Sequence, residues 1–458
     1  MAEIDKTLNE APTGVEEEIT EEQGVTEDTP MEVEVEGDET VSIGPVPTNT
    51  ETGFAGNLAE VIPEETLAKI SNDLRSQFSV DHTSRKDWEQ SYIKGLDLLG
   101  FKYIERSEPF RGAASVSHPL LAEAVTQFQA GAYKELLPAG GPVKTSIIGQ
   151  ATPDVEEQAE RVKEFMNYEL MFQMKEYDPE MDQLLFHLPL AGSAFKKIYY
   201  DGNMARPCAK FIPSEDLVVN YGASELEDAE RITHVLKISP NDLKRQMLSG
   251  FYRDIDIDES DEMYSTYSDI QEKYDELEGV KKSEYSGQYQ LLEMHVDLDL
   301  EGFENVGADG EPTGLKLPYV VTLEQGNGKI LSIYRNFLEN DPMFMRQKYF
   351  VHYKFLPGLG FYGFGLVHML GGLTRTATAA LRALLDAGTL SNLPAGFKSR
   401  GLRVRDDEEP LMPGEFRDVD APGGDLRNAL LPLPYKGPDA TLFQLLGFVV
   451  DAGRRFAA

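Results

Sequence analysis

Residues 366–405, LVHMLGGLTRTATAALRALLDAGTLSNLPAGFKSRGLRVR, decide how the chain is to be read. Leu366, Met369, Leu370, Leu373, Ala377, Leu381 and Leu384 recur at intervals of three and four, so the spacing predicts one long helix. The helix is rich in Ala and Gly, small residues that let a helix pack closely against its neighbours. Between Pro394 and Pro438 lie seven prolines and six glycines. That is too many breakers for a compact core and predicts an extended, strand-like protrusion, ordered by other subunits. From Thr441 to Phe456 the helical pattern returns with Leu442, Leu445, Leu446, Val449 and Val450. The sequence ends inside that helix, as expected of a truncated reading frame.

Upstream the patterning is mixed. Leu67, Ile70, Leu74 and Phe78, then Trp88, Tyr92, Leu96 and Leu99, predict two amphipathic helices, and Leu121, Val125, Phe128, Ala132 and Leu136 a third after Pro119. The third ends at Pro138 and Gly140-Gly141, in the stretch LPAGGPVKTSIIG (137–149). That stretch has the glycines, lysine and hydroxyls of a phosphate loop. It lacks the glycine before the lysine, because Val143 precedes Lys144, and the β-branched residues from Thr145 to Ile148 predict a strand where a helix would be required. It reads as a structural connector. Thr152-Pro153-Asp154 supplies an N-cap and a proline at the first helical position for a long helix running through Val155, Val162, Phe165, Leu170 and Met174. Residues 194–219 then read as a hairpin around Asp201-Gly202. Ser239-Pro240-Asn241-Asp242 restarts a helix by the same capping logic. Strands return over 288–356, two of them flanking Gly326-Asn327-Gly328. The expected class is α+β.

Composition bounds the function. The chain has 458 residues, 41% of them hydrophobic, enough for real cores. Residues 1–50 hold 15 Asp or Glu, one Lys and no aromatic residue, and carry −14 of the formal charge of −36. Such a segment cannot bury enough apolar surface to offset its ordering entropy, so it reads as a disordered acidic tail. The remaining −22 repels phosphate backbones over most of the surface, which argues against ordinary tight DNA binding. One cysteine, Cys208, excludes an intramolecular disulfide framework and a four-cysteine zinc site, and suits a reducing cytoplasm; a catalytic thiol stays open. No basic-then-apolar signal opens the chain and no run of about 18 apolar residues is present, so a soluble intracellular protein is expected.

Candidate chemistry is sparse. Asp254, Asp256 and Asp258 alternate like the start of a calcium loop, but Glu259 stands where the loop needs glycine and Ser265 where it needs glutamate. His295, Asp297 and Asp299 would share one strand face, open to a metal; a half-exposed strand with Met294, Val296 and Leu298 inward explains the same alternation. Ser224 lacks the second glycine of a nucleophile elbow and reads as a turn residue. No cofactor site and no enzyme are found. Against the acidic background stand Lys398, Arg400, Arg403 and Arg405, which read either as a solubilising strand face or as a contact for nucleic acid or an acidic partner.

FQAGAYKELLPAGGPVKTSIIG (128–149), FIPSEDLVVNYGASELEDAERITHVLKIS (211–239) and GFYGFGLVHMLGGLTRTATAALRALLDAGTLSNLPAGFKSRGLRV (360–404) together resemble portal, or head-to-tail connector, proteins of short-tailed bacteriophages. After the tail (1–55), the resemblance implies a wing of helices and antiparallel strands over 56–362, a descending stem helix over 363–392, a clip over 393–438 and a returning stem helix over 439–458. It implies a dodecameric ring at one capsid vertex of the virion, assembled in the host cytoplasm. Its partners would be the terminase large subunit, head–tail adaptor and capsid proteins, and viral double-stranded DNA passing through non-specifically, with no membrane. Lys398, Arg400, Arg403 and Arg405 would then lie in the clip, near DNA or docked terminase. The alternatives are another ring-forming head–tail component, or an acidic metal-dependent hydrolase using Asp254, Asp256, Asp258 or the His295 strand.

Overall fold

Pro63, whose fixed φ suits the edge of a helix, leads into α1 (Glu64–Ser84). The computed structural model describes residues 53–101, 106–202, 204–257, 269–279, 288–307, 311–392, 396–398, 403–404, 419–420 and 430–457. A single residue, Arg85, separates α1 from α2 (Lys86–Leu96). There follow α3 (Leu120–Leu136), α4 (Pro153–Tyr168) with a π turn over Glu169–Gln173, and α5 (Tyr177–Ala191). The first hairpin is β1 (Ser193–Asp201) with β2 (Arg206–Ile212), closed where Asp201 faces Arg206. Next come β3 (Leu217–Val218), β4 (Arg231–Ile238), α6 (Pro240–Leu248) and α7 (Asp269–Glu278). The Ser239 hydroxyl caps α6 by accepting from the Asp242 amide, as its spacing predicts. After β5 (Tyr289–Leu298), β6 (Leu317–Glu324), β7 (Ile330–Arg335) and β8 (Phe350–Lys354) the chain enters α8 (Leu366–Asn392).

The strands form two antiparallel sheets, β3-β4-β5-β6-β7 and β2-β1-β8, so the fold is α+β. Leu67 and Leu74 of α1 pack on Leu292, Met294, Val321 and Leu323 of the central strands. Leu243 and Met247 of α6 meet Leu291 and Leu331, whose side chains alternate to the other face. A second core joins Trp88 and Tyr92 of α2, Leu121 and Val125 of α3, Phe195 of β1 and Leu366 and Leu370 of α8. Gly192 closes α5 in the left-handed region (φ 91°), and a Cβ there would lie 2.4 Å from the Gly363 carbonyl oxygen. Only glycine allows this backbone crossing. Phe54, which sequence reading leaves in the tail, packs edge-on against Phe337 with ring centres 5.5 Å apart.

Beyond α8 the described pieces are β9 (Gly396–Lys398), β10 (Arg403–Val404), β11 (Val419–Asp420), β12 (Leu430–Pro432) and α9 (Ala440–Ala457). β9 pairs with β12 and β10 with β11, each antiparallel, so the breaker-rich stretch does contain strand pairs. α9 runs back antiparallel to α8. At one end Pro438 approaches Gly388, and at the other Gly453 abuts Leu120 of α3 and Arg454 faces Glu123.

Three expectations are corrected. Thr145–Ile148 form no strand, since no neighbouring strand offers them a ladder; Ile148 is 99% exposed. The connector is held instead by Asn167, whose side-chain amide accepts from Val143 N at 2.9 Å and donates to Val143 O at 3.2 Å. Thr152 occupies the N-cap of α4, but its hydroxyl makes no capping bond, and the helix gives way to the π turn at Glu169 before reaching Met174. The strand bearing His295 is buried on both faces as far as Val296, because β8 covers the side on which His295 lies.

Candidate functional site

Lys398 closes β9 opposite Leu430, and Arg403 opens β10 opposite Asp420. The two therefore belong to different strand pairs; Arg400 and Arg405 lie outside the described residues.

The metal and catalytic candidates come apart. Asp254 forms an ion pair with Lys244 at 2.6 Å, and Asp258 is outside the described residues. His295 turns inward, with Nε2 3.0 Å from Glu293 Oε1 and Nδ1 3.4 Å from the Asn336 amide, while Asp297 pairs outward with Arg346 at 3.0 Å. Among the described residues no group of three or more His, Cys, Asp or Glu could hold a metal ion. Ser224 lies in an irregular loop where its carbonyl accepts from Lys354. Cys208 is buried at 3% exposure and burial pushes its thiol pKa up, the opposite of what a nucleophile requires.

Two part-buried polar groups escaped the sequence reading. Lys197 of β1 reaches both carboxylate oxygens of Glu293 on β5 at 2.6 Å and so bridges the two sheets. Glu293 is partly buried, yet His295 and Lys197 hold its carboxyl well below the usual range. The charged pair and its imidazole partner are mutually satisfied, which makes them a brace between sheets. Ser193 Oγ meets His352 Nε2 at 3.0 Å, but it also accepts from Gly363 N at 2.8 Å and is fully buried. Burial holds the His352 pKa down to about 3, and the ring stacks on Phe195 and Phe361. This Ser–His pair joins β1, β8 and the approach to α8 without a substrate-facing hydroxyl. No spacing in the sequence flags either group, because their members are brought together from separate strands.

What stays open lies at the surface. No residue of α4 is buried, although Val155, Val162, Phe165 and Met166 form one stripe and Phe172 prolongs it past the π turn; Phe165 is 62% and Phe172 69% exposed. On α9, Phe443 and Phe448 are 68% and 73% exposed. Contiguous apolar patches of this kind mark interaction surfaces. Among the described residues no helix is long and apolar enough to cross a membrane. Compared with known proteins, the chain matches no family model, and no curated protein is significantly similar to it.

Proposed function

We propose that the chain is one subunit of a portal-like ring, a structural component and not an enzyme. The ring would sit at a capsid vertex as a conduit for genome packaging and ejection. It would dock the terminase large subunit on one side and engage head–tail adaptor and capsid proteins, while double-stranded DNA passes without sequence preference.

The observation that carries this reading is the return of α9 antiparallel along α8, below an α+β body, with Phe443 and Phe448 left outward. A helix pair with one face still apolar needs a neighbour, and identical neighbours related by rotation give a closed ring. The formal charge of −22 outside residues 1–50 suits a conduit, since an acidic wall repels phosphates and does not hold the strand.

Electron microscopy of the purified product of the intact gene tests the reading. Rotationally symmetric class averages with a central hole are expected. A monodisperse monomer at every salt concentration would count against it.

A further inference from the structure

A groove of about 910 Å³ runs along the first half of α8, bounded by α2 and α7. Its cations are Lys94, Lys273, Arg375 and Arg382, against two carboxylates, Asp97 and Glu276, both already paired with Lys273. Its floor is small and apolar, with Gly371, Gly372, Ala379 and Val367. A trough with this chemistry admits a helix backbone closely, favours an apolar contact stripe and attracts a helix of net negative charge.

The chain contains a helix of that description that no described residue covers. α4 protrudes from the body, with the apolar stripe of Val155, Val162 and Phe165 unpacked. Asp154 and Arg161 flank the stripe on one side and Glu156 and Lys163 on the other, with Glu157, Glu160 and Glu164 behind, so the helix carries five carboxylates against two cations. Lengths agree as well. The 16 residues of α4 span about 24 Å, as does the groove from Val367 to Arg382 at 1.5 Å per residue. An isolated helix of 16 residues is marginal in water, so α4 gains most of its stability from whatever covers it.

We infer that α4 of one copy docks in the α2–α8 groove of the next copy. Two different patches of the same chain then meet head to tail, which propagates round a ring and not across a two-fold axis. The assignment rests on the ring reading above and adds to it which surfaces meet and in what sense.

Paired cysteines test it in the intact gene product with Cys208→Ser. Phe165→Cys lies on the exposed stripe, and Gly372→Cys in the groove, where an added Cβ has open space. A second pair, Val162→Cys with Ala379→Cys, guards against a local effect of the first. Mild oxidation is expected to turn a single denaturing-gel band into a ladder of multimers for each pair, with the single-cysteine controls unladdered. Rings by microscopy without a ladder would overturn the docking while leaving the ring reading intact. Crosslinking by Phe165→Cys alone would overturn it in favour of two α4 helices meeting. Retention of a short DNA duplex, lost in Arg375→Gln/Arg382→Gln and unaccompanied by a ladder, would assign the groove to phosphate instead. Monomers by microscopy would overturn both readings together.

Discussion

Arg85 and Tyr362, 277 residues apart, meet in the interior, the Arg85 Nη1 donating to the Tyr362 hydroxyl at 3.1 Å. The same guanidinium donates to the carbonyls of Ser214, Glu215 and Leu217 and pairs with Glu89 at 2.8 Å. The tyrosine hydroxyl donates in turn to Leu217 O, and its ring stacks on Trp88 at 4.6 Å. One side chain between α1 and α2 thereby fixes the segment before β3 and the approach to α8. In a ring this would register the body against the stem.

Arg85→Met should therefore be among the most destabilising single changes. It strands the buried Glu89 carboxylate and removes the donor for three buried carbonyls, a loss of roughly 3–5 kcal/mol. Tyr362→Phe keeps the stack on Trp88 and should cost about 1–3 kcal/mol. Urea unfolding gives both values. An Arg85→Met midpoint equal to that of the parent would refute the clamp.

Acid should destabilise the fold well before ordinary carboxylates titrate. All seven histidines have lowered pKa values, chiefly through burial, with His187 held down to about 4 and His234 to about 3. A depressed folded pKa means that the unfolded chain binds the extra protons, so stability falls as pH drops from about 6.5 toward the folded values. Two carboxyls oppose this. Burial, with Asp216 beside it, pushes Glu215 up to about 7, and burial also raises Asp216, so each favours the fold on acidification. The histidines outnumber them, leaving a net loss of about 1–3 kcal/mol per pH unit between pH 6 and 5. His234→Phe, packed beside Phe350, should flatten that slope by about one proton. A urea midpoint unchanged between pH 7 and 5 would rule the linkage out.

On the proposed portal-like reading, changing Lys398, Arg400, Arg403 and Arg405 together to Gln should weaken terminase binding and packaging without altering the unfolding midpoint. The backbone pairs of Lys398 with Leu430 and Arg403 with Asp420 do not depend on side-chain charge. If these residues meet phosphate, each lost contact should reduce the salt dependence of log affinity by about one. Undiminished packaging and terminase retention in the quadruple variant would dispose of the assignment.

Local rules carried much of the architecture. Ser239 capping α6, the hairpin closing at Asp201 and the long α8 all follow from spacing and turn chemistry over a few residues. The failures have a shared cause. Thr145–Ile148 have strand propensity but no partner, and His295 alternates correctly yet is covered by a strand 55 residues later. Propensity describes one segment, whereas a ladder or a covered face needs two. The Lys197–Glu293 brace and the Arg85 clamp were illegible for the same reason. The exposed stripe of α4 was read as a helix pattern, and nothing in periodicity distinguishes a stripe that packs within the chain from one left open.

The contact between α2 and α8 makes the sharpest stability test, because it can be broken and repaired. A Cβ on Gly95 would lie 2.0 Å from Val367 Cγ1, closer than real side chains approach. Gly95→Ala would gain helix propensity of about 1 kcal/mol in an exposed helix, but here it forces α2 from α8 and should cost about 1–3 kcal/mol net. Val367→Ala alone empties buried volume and should cost a similar amount. Together the two alanines refill the gap from the other side. The double variant should be more stable than the sum of the single losses predicts by about 1–3 kcal/mol. Strict additivity in urea unfolding would mean that the helices do not meet at this pair, and the packing of α8 against the body would need to be redrawn.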